Sequence, residues 1–256
     1  MSKQYYLDCL DKGTKLYWRT LGKARGLELR TGDIEWIMSV PSGGAERIFS
    51  IRLPDDSLED SMNELVNMIQ KGEAPSGILI TPSSKPDNIH EILSTAGFKI
   101  NYDTGSGMAM DIGASVNHIE FNENIEILSV EDERTLEVWT EIVNTALFEE
   151  DLFSYEQFYD LFMLDNTYFY IGLFNGRPAS TCMTITEGDI VTVEMVSTLK
   201  EYRKNGLGRA VTTVALQEMK NIGIRTAILR AEKEAVNIYK RIGFQEFYKR
   251  TVANYG

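Results

Sequence analysis

Leu7, Leu10, Leu16 and Trp18 return at helical spacing among polar residues, so residues 4–24 are expected to form an amphipathic helix. Short apolar runs replace that period at "DIEWIMSV" and "AERIFSIRLP", which predict two strands on either side of the turn "PSGG". "SLEDSMNELVNMIQKG" goes back to helical spacing, with Leu58, Met62, Leu65, Val66 and Ile69 on one face. It opens on a Ser57-x-x-Asp60 capping pattern and closes on Gly72. A strand at "SGILIT", a helix through "NIHEILSTAG" and strands at "FKINYD" and "GMAMDI" complete the first half. The polar stretch "GASVNHIEFNENIE" marks a boundary near residue 118 and gives domains of 1–118 and 119–256.

The second half opens with a strand at "IEILSV" and helical segments through "EDERTLEVWTEIVNTALF" and "SYEQFYDLFML". Strands are expected next at "TYFYIGLF", "PASTCMTIT" and "IVTVEMVST". Asn175-Gly176, a strong two-residue hairpin signal, joins the first two, and "EGD" joins the last two. Farther on, Leu207, Ala210, Val211, Val214, Ala215 and Met219 mark one helix face, which Gly223 closes. "IRTAILRA" reads as a strand, "EAVNIYKRIG" as a helix stopped by Gly243, and "FQEFYKRTV" as a last strand. The expected class is α/β, with helices packed on a mixed sheet.

Composition narrows the function. A chain of 256 residues, 43% apolar and 25% charged, has the make-up of a soluble globular protein. No apolar run approaches the ~20 residues that span a bilayer, and "MSKQYYLDCLDK" lacks the apolar core of a signal peptide, so a cytoplasmic protein is expected. Cys9 and Cys182, far apart in apolar or amphipathic segments, read as buried free thiols. With His90 and His118 as the only histidines, no zinc-ligand spacing exists, and no metal is expected. A net charge of −12 argues against nucleic acid as the partner. It fits a cationic small molecule drawn to an acidic cleft, and equally a charge that serves solubility.

One loop carries most of the chemistry. "EYRKNGLGRA", residues 201–210, joins a strand to a helix. A dinucleotide fingerprint would need glycine at Val211, and a phosphate loop of the Gly-Lys-Ser/Thr kind is absent. What remains is Arg203-x-x-Gly206-x-Gly208 beside Lys204 and Arg209. Small residues at a helix N-terminus let backbone amides approach an anion, which points to pyrophosphate; by itself the pattern also suits a structural turn.

The segment "VSTLKEYRKNGLGRAVTTVALQEMKNIG", with "IYKRIGF" some thirty residues later, resembles the GNAT superfamily of acetyltransferases, which use acetyl-coenzyme A. The resemblance covers roughly residues 125–250. It implies the GNAT acyl-CoA N-acyltransferase fold for the second half, with an amine as acceptor, expected to be a small molecule. By position it assigns the pyrophosphate to Arg203, Lys204, Asn205, Gly206, Leu207, Gly208 and Arg209, mostly through backbone amides. It assigns the pantetheine arm to backbone groups of Val196 and Thr198, the coenzyme adding as a pseudo-strand. Tyr239 matches the tyrosine that commonly protonates the departing thiolate; its other reading is a core aromatic between Ile238 and Ile242. Lys200 and Glu232 stand where many members have proline and asparagine.

Glu194, a carboxylate among valine, threonine and methionine on the strand before the loop, is a candidate general base or one half of a structural ion pair. "FEEDLFSYEQFYDLF" alternates Glu149, Glu150, Asp151, Glu156 and Asp160 with aromatic residues, which suits an amine with an apolar body or an amphipathic helix pair with a solvated face. The first half echoes the second at "EILSTAGF" and "NIYKRIGF", with Leu93 where Tyr239 stands. Its strand-to-helix junction "RLPDDSLED" is acidic and repels phosphate. A degenerate GNAT-like first domain, covering the acceptor cleft or stabilising the catalytic one, is therefore expected. The alternative function is a non-catalytic acyl-CoA-binding or regulatory module.

Overall fold

The computed structural model describes residues 1–40, 44–54, 56–115 and 121–256. The boundary near residue 118, and His118 with it, lies outside the described residues. Helix α1 (Lys3–Leu21) is capped by the Ser2 hydroxyl on the Tyr5 amide. It ends three residues short of the expected helix, and a further short strand follows. The first-half strands are β1 (Leu27–Arg30), β2 (Ile34–Ser39), β3 (Arg47–Ile51), β4 (Gly77–Ile80) and β5 (Phe98–Asp111), with helices α2 (Leu58–Gln70), α3 (Ile89–Thr95) and α4 (Ile112–Ser115). Strand β1 escapes the periodicity because it is a sheet edge, three of its four residues being exposed. Helix α2 forms where expected, but the Ser57 side chain makes no capping hydrogen bond.

The two strands expected at "FKINYD" and "GMAMDI" are one strand, β5. Gly105, between the two expected strands, and Gly107, at the start of the second, serve close packing. A Cβ at Gly105 would overlap the Ala231 carbonyl, and one at Gly107 the Tyr248 ring.

After residue 120 come β6 (Ile125–Ser129), α5 (Glu133–Val143), a π-helical turn (Asn144–Phe148), α6 (Tyr155–Phe162), β7 (Thr167–Phe174), β8 (Arg177–Glu187), β9 (Ile190–Thr198), a 3-10 turn (Lys200–Tyr202), α7 (Leu207–Asn221), β10 (Thr226–Glu232), α8 (Val236–Ile242) and β11 (Gln245–Tyr255). The β7–β8 hairpin turns on Asn175 and Gly176, both at positive φ (51° and 73°), as the sequence predicts. The helix through "EDERTLEVWTEIVNTALF" loosens into the π turn at Asn144. That buried side chain donates to the Phe153 carbonyl at 2.8 Å and accepts from the Phe153 amide, folding the next loop back on the helix.

The described strands form one mixed sheet in the order β1-β2-β3-β4-β11-β5-β10-β9-β8-β7-β6. The two halves are interleaved in it. Strand β5 lies between β10 and β11, and β11 lies between β4 and β5. Each half thereby lends its last strand to the other. The runs β1-β2-β3-β4-β11 and β7-β8-β9-β10-β5 then repeat one pattern of senses: antiparallel, antiparallel, parallel, antiparallel. Gly97 and Gly243, both at positive φ, make the matching turns from α3 into β5 and from α8 into β11.

Packing joins the halves on both faces. One apolar cluster puts Tyr17, Leu21, Ile37 and Phe49 against Trp139, Phe153, Phe158 and Met195. On the other face Met108 and Met110 of β5 join Val193, Cys182 and Leu229 under α7 and α8, the latter adding Tyr239. Cys9 and Cys182 are buried free thiols. Among the described residues, no helix is long and apolar enough to cross a membrane, and no group of three or more His, Cys, Asp or Glu side chains is placed to hold a metal.

Candidate active site

Strands β9 and β10 are parallel, but their pairing stops early. The rungs run from Ile190 opposite Thr226 to Thr192 opposite Ile228, and none follows. Beyond that point Val193–Thr198 and Leu229–Glu232 diverge, leaving a wedge open toward the end of β9. Strand β9 also carries an extra residue in the wedge: Thr181 pairs with Ser197 and Met183 with Glu194, so Met195 and Val196 oppose Cys182 alone. Met195 has φ 50°, a left-handed conformation that costs a non-glycine residue about 1–2 kcal/mol. The bulge redirects the peptide groups at Met195 and Val196 just where the neighbouring strand has departed.

At the mouth of the wedge α7 begins. The Ser, Asp and Ser side chains at the starts of α1, α5 and α6 cap those helices, whereas α7 starts from Gly206 at φ 91° with no side-chain cap. Its first amides therefore have no protein partner from a cap, and the helix dipole adds positive potential there. Gly206 is required for its backbone conformation. Gly208 is required for space: a Cβ there would stand 3.7 Å from Thr198 Oγ1 and 3.9 Å from Val196 Cγ1, filling the gap between helix and strand without clashing.

The residues of the loop divide their work. Leu207 is buried against Gly172, so it can offer a ligand only its backbone. Arg203 donates to the Thr198 carbonyl at 3.0 Å and the Ala146 carbonyl at 3.1 Å, which ties the loop to the π turn and commits its guanidinium to the protein. Asn205 donates to the Tyr202 carbonyl and shapes the turn. Lys204 is exposed, with φ 68°. The Arg209 Nε is buried without a hydrogen-bond partner, a cationic donor with capacity left for an anion. Glu232, in the place of the family's asparagine, is held in an ion pair by Arg250.

Around the wedge, Glu194 lies on the face that α1 covers, paired with Arg230, while Tyr239 and Cys182 belong to the apolar cluster on the other face. Tyr239 is buried on α8, edge-on to Phe244 at 5.9 Å. Burial, with smaller pushes from Cys182 and Glu194, raises its hydroxyl above the usual phenol range, so it stays protonated. Cys182 is fully buried and its thiol is likewise pushed up, a poor nucleophile. Glu194 forms a buried ion pair with Arg230, 2.7 Å from Nη2, the two side chains 9% and 7% exposed, and accepts from the Thr192 hydroxyl. Burial raises its carboxyl above the ordinary range, and Arg230 and Thr192 oppose that push.

Arg230 carried no weight in the sequence reading. The signal was present: a cation inside "TAILRAE" and an anion inside "VTVEMV" are opposite charges in two apolar strands. In the acidic–aromatic segment, Phe153 and Phe158 are core, and Arg25 holds the Asp160 carboxylate with two guanidinium donors and its own amide. Glu149, Glu150, Asp151 and Glu156 remain exposed.

A family model described as an acetyltransferase (GNAT) domain matches residues 127–255. The chain belongs to the GNAT acetyltransferases. Among solved structures it is similar to a GCN5-related N-acetyltransferase from Kribbella flavida, at 17% identity over 94% of this chain and 93% of that one, with a TM-score of 0.67. It is also similar to a tandem GNAT protein from the clavulanic acid biosynthesis pathway (12% identity, 95% and 94% covered, TM-score 0.66) and to a GCN5-related N-acetyltransferase from Sphaerobacter thermophilus (15%, 95% and 92%, TM-score 0.59). These are likenesses of fold, and they span nearly the whole chain. No curated protein matches it in sequence. The motif "RKNGLGR" spans the loop into the uncapped start of α7, at the mouth of the wedge.

Proposed function

We propose that this GNAT protein moves an acetyl group from acetyl-coenzyme A to a primary amine of a small molecule. The observation that carries this is the wedge: an unpaired stretch of β9, a bulge inside it and an uncapped helix N-terminus at its mouth, with Gly208 keeping the gap clear. Amides of Gly206–Arg209, with the Arg209 guanidinium and exposed Lys204, suit the pyrophosphate; the free edge of Val196 suits pantetheine. The Thr198 carbonyl already accepts from Arg203, so Thr198 contributes less than Val196.

The coenzyme supplies an acetyl thioester. The bulged amides near Val196 stand where a donor would polarise its carbonyl. The acceptor amine has a pKa near 10 in water and must shed a proton to react. We assign that proton to Glu194, whose raised affinity for it brings the carboxylate nearer to working pH than an exposed glutamate would be. Tyr239 holds its hydroxyl proton for the departing sulfur. In the balanced transfer the ammonium gives one proton to Glu194, a nitrogen–carbon bond forms and a carbon–sulfur bond breaks; Tyr239 protonates the sulfur and regains its proton from the nitrogen, which loses a second one on becoming an amide. The first half is proposed as a GNAT-like unit without a cofactor site. Its β3–α2 junction carries the acids Asp56, Glu59 and Asp60, whereas the β9–α7 junction carries the cations Arg203, Lys204 and Arg209.

Thiol release during incubation with acetyl-coenzyme A and a panel of amines tests the reaction; no release above background with any amine counts against it. Calorimetry on Gly208→Val tests the cradle. Loss of one or two charge-assisted hydrogen bonds, each worth about 1.5–3 kcal/mol, should weaken coenzyme binding by at least ~10-fold. Unchanged affinity would remove the pyrophosphate assignment.

A further inference from the structure

Arg230 and Glu194 stand two residues beyond the last rung of the β9–β10 ladder, Ile228 opposite Thr192, one on each strand. Their ion pair bridges the wedge at its apex. The guanidinium is gripped from a third side. Its Nη1 lies 3.3 Å from Thr14 Oγ1, and its carbon sits 4.8 Å from the centre of the Tyr17 ring. Thr14 and Tyr17 are three residues apart on α1 and so share a face. Between that face and the sheet lies Gly13, where a Cβ would come within 2.5 Å of Ile228 Cδ1 and 3.6 Å of Thr192 Cβ. Helix α1 rests on the last rung itself.

We propose that Arg230 is a positioning residue for Glu194, and that α1 of the first half completes the reaction centre by holding Arg230 through Thr14 and Tyr17. The proposal rests on Glu194 being the proton acceptor. A buried ion pair is a poor source of stability, because desolvation offsets most of the attraction. Its place at the wedge apex gives it a different use. A carboxylate at this depth would otherwise hold its proton and could not accept another. Arg230 from β10 touches Glu194 directly, and Tyr17 from α1, Cys182 from β8 and Tyr239 from α8 are near enough to feel its charge. The last three are kept protonated by burial, so Arg230 is the cation of this set that favours the ionised carboxylate. Stacking on Tyr17 keeps the guanidinium fork aimed at it.

The test is a carbon-13 NMR titration of side-chain-labelled glutamate in the whole chain, the Glu194 signal being assigned as the one that Glu194→Gln removes. Arg230→Met should move its midpoint up by ~1–3 pH units, and Arg230→Lys should bring it back part of the way. Tyr17→Leu, with Arg230 in place, should move it in the same direction by less. The acid limb of the turnover profile should follow these midpoints, while affinity for acetyl-coenzyme A stays within a few-fold. An unmoved midpoint in Arg230→Met overturns the proposal. If that variant loses its near-ultraviolet dichroism, an unmoved midpoint in Tyr17→Leu does so instead. Lost turnover without a shift of the acid limb would make the pair structural. Full turnover in Glu194→Gln would remove the base assignment, yet would leave the Arg230 titration to stand or fall by itself.

Discussion

Two helical glycines offer opposite tests of how the sheet and its helices divide the work. Replacing glycine by alanine inside a helix gains about 1 kcal/mol from chain entropy wherever the methyl fits. At Gly13 it does not fit. The new carbon would lie 2.5 and 2.7 Å from two atoms of Ile228, which is fully buried with its side chain packed against β9 and α1. Overpacking of this kind costs about 1–3 kcal/mol, and an overlap near 1 Å against an immobile neighbour belongs in the upper part of that range. The expected net for Gly13→Ala is a loss of ~1–2 kcal/mol, or a melting temperature lower by ~2–8 °C for a chain of this size. At Gly208 the methyl meets only ordinary contacts, so Gly208→Ala should melt at or slightly above the wild-type temperature while binding acetyl-coenzyme A more weakly. Thermal unfolding followed by circular dichroism, with calorimetry of coenzyme binding on the same samples, reads both. A Gly13→Ala protein that melts higher than wild type would refute the close docking of α1 on β9 and β10. A Gly208→Ala protein with full coenzyme affinity would refute the assignment of that gap.

Further outcomes can be checked directly. Tyr239→Phe keeps the ring and removes the hydroxyl, and should lower turnover ~10²-fold with coenzyme affinity unchanged, as measured by thiol release where chemistry limits the rate. Arg25 holds the Asp160 carboxylate below its ordinary range, so that contact stabilises the fold above ~pH 5 and is lost as pH falls through the lowered value. The melting-temperature gap between wild type and Asp160→Asn should accordingly be constant near neutrality and close in acid; a gap that persists at pH 2 would mean the carboxylate charge is not its source. Crystals soaked with coenzyme A should show one molecule per chain, at residues 196–209, and ordered coenzyme beside residues 52–60 would overturn the cofactor-free first half.

The sequence shows its helices and turns where one local signal settles them. The Asn175-Gly176 hairpin and the apolar face of α7 each depend on a few neighbouring residues, whereas the Ser57-x-x-Asp60 pattern opens α2 without the capping hydrogen bond it suggests. The glycine loop is legible for the same reason, since the backbone freedom at Gly206 and the clearance at Gly208 are properties of single positions. What could not be read depends on distant pairing. Nothing in "FKINYDTGSGMAMD" says that it will lie between β10 and β11 as one strand, and the packing role of its glycines is hidden until Ala231 and Tyr248 are seen against them. Arg230 was passed over in the same way. Its partners Glu194, Thr14 and Tyr17 come from three separate elements, and the ion pair was legible only as two unmatched charges in apolar strands.

The exchange of last strands also governs the order in which this chain can be built. During synthesis the first half emerges with β4 lacking its neighbour, because Thr251, which pairs with Ile80, is made long after it. Strand β5 waits as well, for β10 on one side and β11 on the other. The run β1-β2-β3-β4-β11 cannot be completed before β11 leaves the ribosome, whereas β7-β8-β9-β10-β5 has all its strands once β10 is made, and these long-range pairings favour slow formation. Until then the nascent chain carries open strand edges of the kind that pair with other chains. A chain without β11 would leave β4 and one edge of β5 unpaired at once.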